Sequence, residues 1–125
     1  LLRDFGWRRD KEHKRKAIED ILATYPKLPF VLIGDSGEHD PEIYADIVQR
    51  FPKRIRAVYI RAVNTRRIAQ IAGCPLVVAP EAEPAALHAA ASGLIQASDL
   101  RAVRAEKSSD ESSSSKAAVS SGALK

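Results

Sequence analysis

Phe30-Val31-Leu32-Ile33-Gly34-Asp35-Ser36-Gly37-Glu38-His39-Asp40-Pro41-Glu42-Ile43-Tyr44 decides how this chain is read. The stretch opens on a continuous apolar run bounded by Pro29 and Gly34, which fits a strand covered on both faces. It breaks at Gly34 into an acidic loop and restarts as a helix, with Asp40 expected as the N-cap and Pro41 as the first helical residue. Parallel α/β sheets place ligand-binding groups just past the carboxyl end of a strand. Asp35 and Asp40 stand five residues apart on that loop, and carboxylate oxygens suit a hard cation such as Mg²⁺.

Outward from this stretch, helices alternate with strands. Upstream, Ile18, Ile21, Leu22 and Tyr25 recur at helical steps, which predicts a helix from Asp10 to Thr24. Asp10 can cap its start and Pro26 closes it. Downstream, the helix from Pro41 runs to about Arg50, with Ile43, Ile47 and Val48 inward. Ile55 to Ile60 reads as a second strand. A helix from Thr65 to Ala72, stopped by Gly73, is expected next, then a short third strand at Leu76-Val77-Val78. An alanine-rich helix from Glu83 to Ala91 ends at Gly93, and a last helical turn or two is expected within 97–106. The order predicts an α/β fold, Rossmann-like, with three α/β/α layers around a parallel sheet. Three strands are too few for such a domain. The N-terminal half of the sheet is therefore expected to be missing and to precede Leu1.

Composition sets the domain limits. The 125 residues are 45% hydrophobic, enough for one core over residues 1–106. Residues 107–125 hold eight serines and no aromatic residue, and read as a disordered tail. There is no methionine and the chain opens on Leu1-Leu2, so it reads as a fragment of a longer protein. The net charge of +4 is concentrated near the start, where Arg3, Arg8, Arg9, Lys11, Lys14, Arg15 and Lys16 outnumber Asp4, Asp10 and Glu12. Such a cluster suits an anionic partner or a solvated helix face equally. The single cysteine, Cys74, excludes an internal disulfide framework and reads as a small core residue. No stretch reaches the length of a membrane span.

Each candidate residue carries a plain alternative. Asp35 is a metal ligand or an ordinary turn former at a strand end. Asp40 is explained by helix capping, and Glu42 by the helix dipole. His39 is a proton carrier or an exposed loop residue. Ser36 and Gly37 offer a hydroxyl and a permissive backbone to a ligand. Arg61, at the end of the second strand, binds a phosphate oxygen or pairs with an acid. A right-handed crossover puts Lys14 at the far end of the sheet from Asp35, unless the preceding loop is long or the helix runs back over the top, so Lys14 reads as an ordinary residue of a charged helix.

Taken together, His13-Lys14, the run from Pro29 to Tyr44, Phe51-Pro52 and Tyr59-Ile60-Arg61 resemble the phosphatidate phosphatase catalytic domain of the yeast actin patch protein type, in its C-terminal half. That family belongs to the haloacid dehalogenase superfamily, and the likeness covers roughly residues 1–94. The resemblance implies a Mg²⁺-dependent phosphatase that hydrolyses phosphatidate or a similar phosphomonoester through an aspartyl-phosphate. Asp35 is then a metal ligand and Asp40 the second acid of the same segment. Lys14 steadies phosphate charge, and Ser36 and Arg61 stand on the substrate side. The family's nucleophile lies in an Asp-x-Asp-x-Thr run that this chain lacks, so the fragment alone is expected to be inactive. The implied partners are a phospholipid or other phosphomonoester, with peripheral membrane contact and no nucleic acid, in a cytoplasmic or membrane-peripheral location. A non-catalytic phosphate- or lipid-binding module is the alternative.

Overall fold

The computed structural model describes residues 2–102, with side chains from Asp10 onward apart from Glu38. Two compact units divide between Pro80 and Glu81, inside the stretch read above as one domain. The first unit holds α1 (Leu2–Thr24), β1 (Phe30–Asp35), a 3-10 turn (Ser36–Glu38), α2 (Asp40–Arg50), β2 (Ile55–Arg61), β3 (Arg67–Ile71) and β4 (Cys74–Ala79). The strands form one sheet in the order β1-β2-β4-β3. β1 and β2 are parallel, as are β2 and β4.

β3 corrects two expectations, the helix over 65–72 and the all-parallel sheet. It is a strand, and it pairs antiparallel with β4, from Arg67 opposite Val78 to Ile71 opposite Cys74. Only Ala72 and Gly73 lie between the partners, both at positive φ (48° and 84°). Two left-handed residues make the turn whose twist matches that of a two-residue hairpin. Gly73 is thus a turn residue and not a helix stop. Alanine at the first turn position hides the signal that asparagine or glycine would have given.

One core fills the space between the helices and one sheet face. Leu22 of α1 and Ile43, Tyr44, Ile47 and Val48 of α2 pack with Val58 and Ile60 of β2 and Leu76 and Val78 of β4. Phe30 and Leu32 of β1 and Ala69 and Ile71 of β3 extend the same cluster. The first unit is therefore two-layered.

The helix pair is tied by charge. Lys11 meets Glu42 at 2.9 Å, Arg15 meets Asp46 at 3.1 Å, and Glu19 meets Arg50. Partners advance together along both helices, so α1 and α2 run in the same direction. This order overturns the crossover argument for Lys14. A helix feeding a parallel strand must finish where that strand begins, so α1 starts at the carboxyl edge of the sheet. The ten residues from Lys14 to Thr24 climb ~15 Å, close to the ~20 Å of a six-residue strand. Lys14 therefore stands level with the end of β1. At the other end, Arg54 closes the α1–β1 connection. Its guanidinium donates to the carbonyls of Leu22 (3.1 Å), Tyr25 (2.6 Å) and Leu28 (3.2 Å).

In the second unit α3 (Glu83–Ala91) ends as expected at Gly93, whose φ is +73°. The Leu94 N–H closes the end by donating to the Ala89 carbonyl at 2.8 Å. Residues 97–102 are helical. The remainder of the expected 97–106 turn and the serine-rich tail at 107–125 lie outside the described residues.

Two outcomes are expected of unfolding experiments. Ala72→Asn should raise stability by about 1 kcal/mol, because alanine bears the cost of the left-handed backbone there. A urea midpoint that does not rise would contradict the turn. Cys74 is buried, its thiol donating to the Ile55 carbonyl at 3.4 Å, and burial pushes its pKa up. The unfolded chain then loses this proton first, so stability should fall as pH rises above roughly 8.5. Cys74→Ala should remove that part of the pH slope.

Candidate functional site

The end of β1 and the start of α2 are held together by one carboxylate. Asp40 is 3% exposed, the one buried charged residue among those described. Its Oδ1 lies 2.6 Å from the Lys14 ammonium. Its Oδ2 accepts the backbone N–H of Asp35 at 2.8 Å. The expected cap is therefore corrected. His39, with φ of 61°, occupies the N-cap position, and Asp40 is the first residue inside the helix. Its side chain turns back to the strand end and to α1, because both polar partners it needs when buried lie there.

Gly34 makes that return possible. A Cβ built on Gly34 would stand 2.7 Å from both Cβ and Cγ of Asp40, closer than side chains approach one another. The residue ends the apolar run for a packing reason that its turn-forming character alone does not reveal. A glycine inside a strand pattern is the available signal for a close approach. Tyr44 is the second residue that sequence reasoning missed. Its hydroxyl donates to the Ile33 carbonyl at 2.7 Å, which fixes β1 from the side of α2 just below the loop.

Asp35 faces solvent at this edge. Its Oδ1 accepts the Gly37 N–H at 2.9 Å, which curls the loop into the 3-10 turn. Its Oδ2 is 3.7 Å from Arg61 Nε. The proximity follows from strand register, since Asp35 and Arg61 are paired across β1 and β2. With the Asp35 side chain 48% exposed and Arg61 72% exposed, the pair is loose and screened by water. Ser36 is exposed at the start of the 3-10 turn, and among the described residues its hydroxyl makes no hydrogen bond. Glu42 points to Lys11, whose ammonium holds the Glu42 carboxyl below its usual range.

The structure thus brings Lys14, Asp35 and Asp40 into one chain of contacts, with Arg61 beside Asp35 and Ser36 on the lip. It also accounts for part of the basic cluster. Lys11, Lys14 and Arg15 each pair with an acid of α2, so much of the cluster's charge is engaged within the helix pair.

The donor set fits a Mg²⁺ site of limited kind. Mg²⁺ is usually held by one or two carboxylates, with water and phosphate oxygens completing its shell. The Asp35 carboxylate is exposed and weakly engaged, as such a ligand must be. Asp40 is buried and engaged through both oxygens by Lys14 and the Asp35 amide, so it is the less accessible of the two acids. Among the described residues no three His, Cys, Asp or Glu side chains gather around a common point.

Comparisons with known proteins converge on the same segment. The family described as Phosphatidate phosphatase APP1, catalytic domain, matches residues 1–62. Phosphatidate phosphatase APP1 of Saccharomyces cerevisiae is 50% identical over 51 residues, which cover 41% of this chain and 9% of that protein. An uncharacterized protein of Schizosaccharomyces pombe is 40% identical over 50 residues, 40% of this chain and 8% of that protein. The matches thus span under a tenth of either relative. No solved structure matches the chain.

The central contact can be weighed by a double-mutant cycle. Lys14→Met should destabilise by about 2 kcal/mol, at the low end for breaking a buried pair because Lys14 is partly exposed. Asp40→Asn should cost a similar amount, and the double variant should cost less than the two together by about 1–2 kcal/mol. Additive losses in urea unfolding would show that the two charges are not coupled.

Proposed function

On the match of residues 1–62 to the phosphatidate phosphatase APP1 catalytic-domain family, we propose that this chain carries the C-terminal part of the catalytic domain of a Mg²⁺-dependent phosphatase. Its substrate is phosphatidate or a similar lipid phosphomonoester. The fold is read as haloacid dehalogenase-like, with a third layer and the nucleophile strand supplied outside residues 1–125. The observation that carries the reading is the contact chain from Lys14 through the buried Asp40 carboxylate to the Asp35 amide.

That chain has a chemical use. An ammonium held by a buried carboxylate cannot drift, so Lys14 offers a fixed positive charge at the sheet edge. Asp40 grips the N–H of Asp35 and sets the angle at which the loop leaves β1. Asp35 is then the side chain that would hold Mg²⁺, which when bound would neutralise phosphate charge. Arg61 sits beside Asp35 and offers a guanidinium to a phosphate oxygen. Ser36 presents a free hydroxyl to the same oxygens. Among the described residues no helix is long and apolar enough to cross a membrane. The reading includes a protein of the cytoplasm that meets its lipid through peripheral contact.

Phosphate release from phosphatidate by the full-length protein tests this. Activity should need Mg²⁺ and vanish with chelator. Asp35→Ala should lower kcat by about 100-fold or more, the scale of losing a group that places transition-state charge. Full activity in chelator, or in the Asp35→Ala variant, would overturn the assignment. Binding of phosphatidate without turnover would instead favour the non-catalytic module.

A further inference from the structure

A cavity of about 540 Å³ opens beside the Asp35 loop, in the first unit. We propose that it receives the hydrocarbon part of an amphiphilic phosphomonoester whose headgroup lies at Asp35. The inference rests on the phosphatase reading and adds to it a site for the rest of the substrate.

The cavity has two ends of different character. Its floor and walls are Ala45 of α2, Ile60 of β2, Ala69 and Ile71 of β3, and Leu76 and Val78 of β4. All are apolar. The walls come from α2 on one side and from β4 and the edge strand β3 on the other. The mouth is polar and carries Ser36, Glu42 and Arg67. Ser36 follows Asp35 directly, so the mouth and the candidate phosphate position share one loop.

Direction and charge agree with this occupant. Arg67 lies opposite Val78 at the carboxyl edge of the sheet, and Ile71 lies opposite Cys74 at the other edge. The trough therefore runs down β3 from the candidate site for roughly 13 Å. Its apolar depth rewards removal of an alkyl chain from water in proportion to the area covered. The cations near its mouth, Arg61 and Arg67, are both exposed, and they suit an anionic headgroup. Glu42 is the one acid in the lining, and it is engaged by Lys11. Below the mouth the lining is mostly apolar, with Gln70 of β3 its one polar side chain on the strands.

The test uses the full-length protein, Mg²⁺, and monomeric phosphatidates from dibutyryl to dioctanoyl, with p-nitrophenyl phosphate as a tailless substrate. For the wild type, kcat/KM should rise roughly tenfold or more along the series. Ala45→Trp fills the trough from the helix side and Ala69→Leu from the strand side. Either should flatten the rise and leave p-nitrophenyl phosphate hydrolysis at the wild-type rate. A wild-type enzyme indifferent to chain length, or a rise that persists in both folded variants, overturns the proposal. Displacement of fluorescent cis-parinaric acid by dioctanoyl phosphatidate gives a readout that needs no turnover. If phosphate is released from neither substrate, the phosphatase reading fails. Displacement by wild type that is lost in both variants then still supports the cavity, and its absence in wild type overturns it.

Discussion

The Asp40 carboxylate is the constraint on which the candidate site depends. One buried anion takes an ammonium from α1 and an amide from the end of β1, and so ties three elements at one point. Burying a charge is unfavourable unless it is paired and hydrogen-bonded. Here both oxygens are satisfied, and the arrangement demands a glycine at position 34 because no Cβ fits against Asp40. Helix direction, strand end and loop exit are therefore fixed together. Asp35 is left facing solvent with an orientation that its own exposed side chain could not maintain.

The parts of the fold legible in the sequence are those with strong local punctuation. β1 lies between Pro29 and the acidic loop, and β2 is an apolar run ending at Arg61. α2 shows its buried face through Ile43, Ile47 and Val48, and α3 is stopped by Gly93. β3 was not legible, because Ile68-Ala69-Gln70-Ile71 fits a helical turn as well as an alternating strand. The turn after it uses alanine where the backbone needs a left-handed residue. Only pairing with β4, a tertiary fact, decides between the two.

The site was half legible. Asp35 and Asp40 stand out as acids at a strand end, but their division of labour does not. Capping is the local explanation for Asp40, and it is displaced by two partners that are distant or backbone-borne. Lys14 is 26 positions from Asp40. Its place follows from the direction of α1, which a residue-by-residue reading assigned the wrong way round. The resemblance to the phosphatase family implied Lys14 near Asp35 where local reasoning did not, and its ammonium lies against Asp40 at that edge of the sheet.

Three of the ion pairs between α1 and α2, those of Lys11, Arg15 and Glu19, have a further consequence. Two of them put the cation on α1, and the third, Glu19 with Arg50, reverses the sign. Sliding α1 by one turn one way would set Arg15 against Arg50. Sliding it the other way would set Glu19 against Asp46. Either slip trades attractive pairs for a like-charge clash, so the pattern favours the observed setting. Lys14 is thus kept at its height above the sheet by these pairs as well as by its own contact with Asp40.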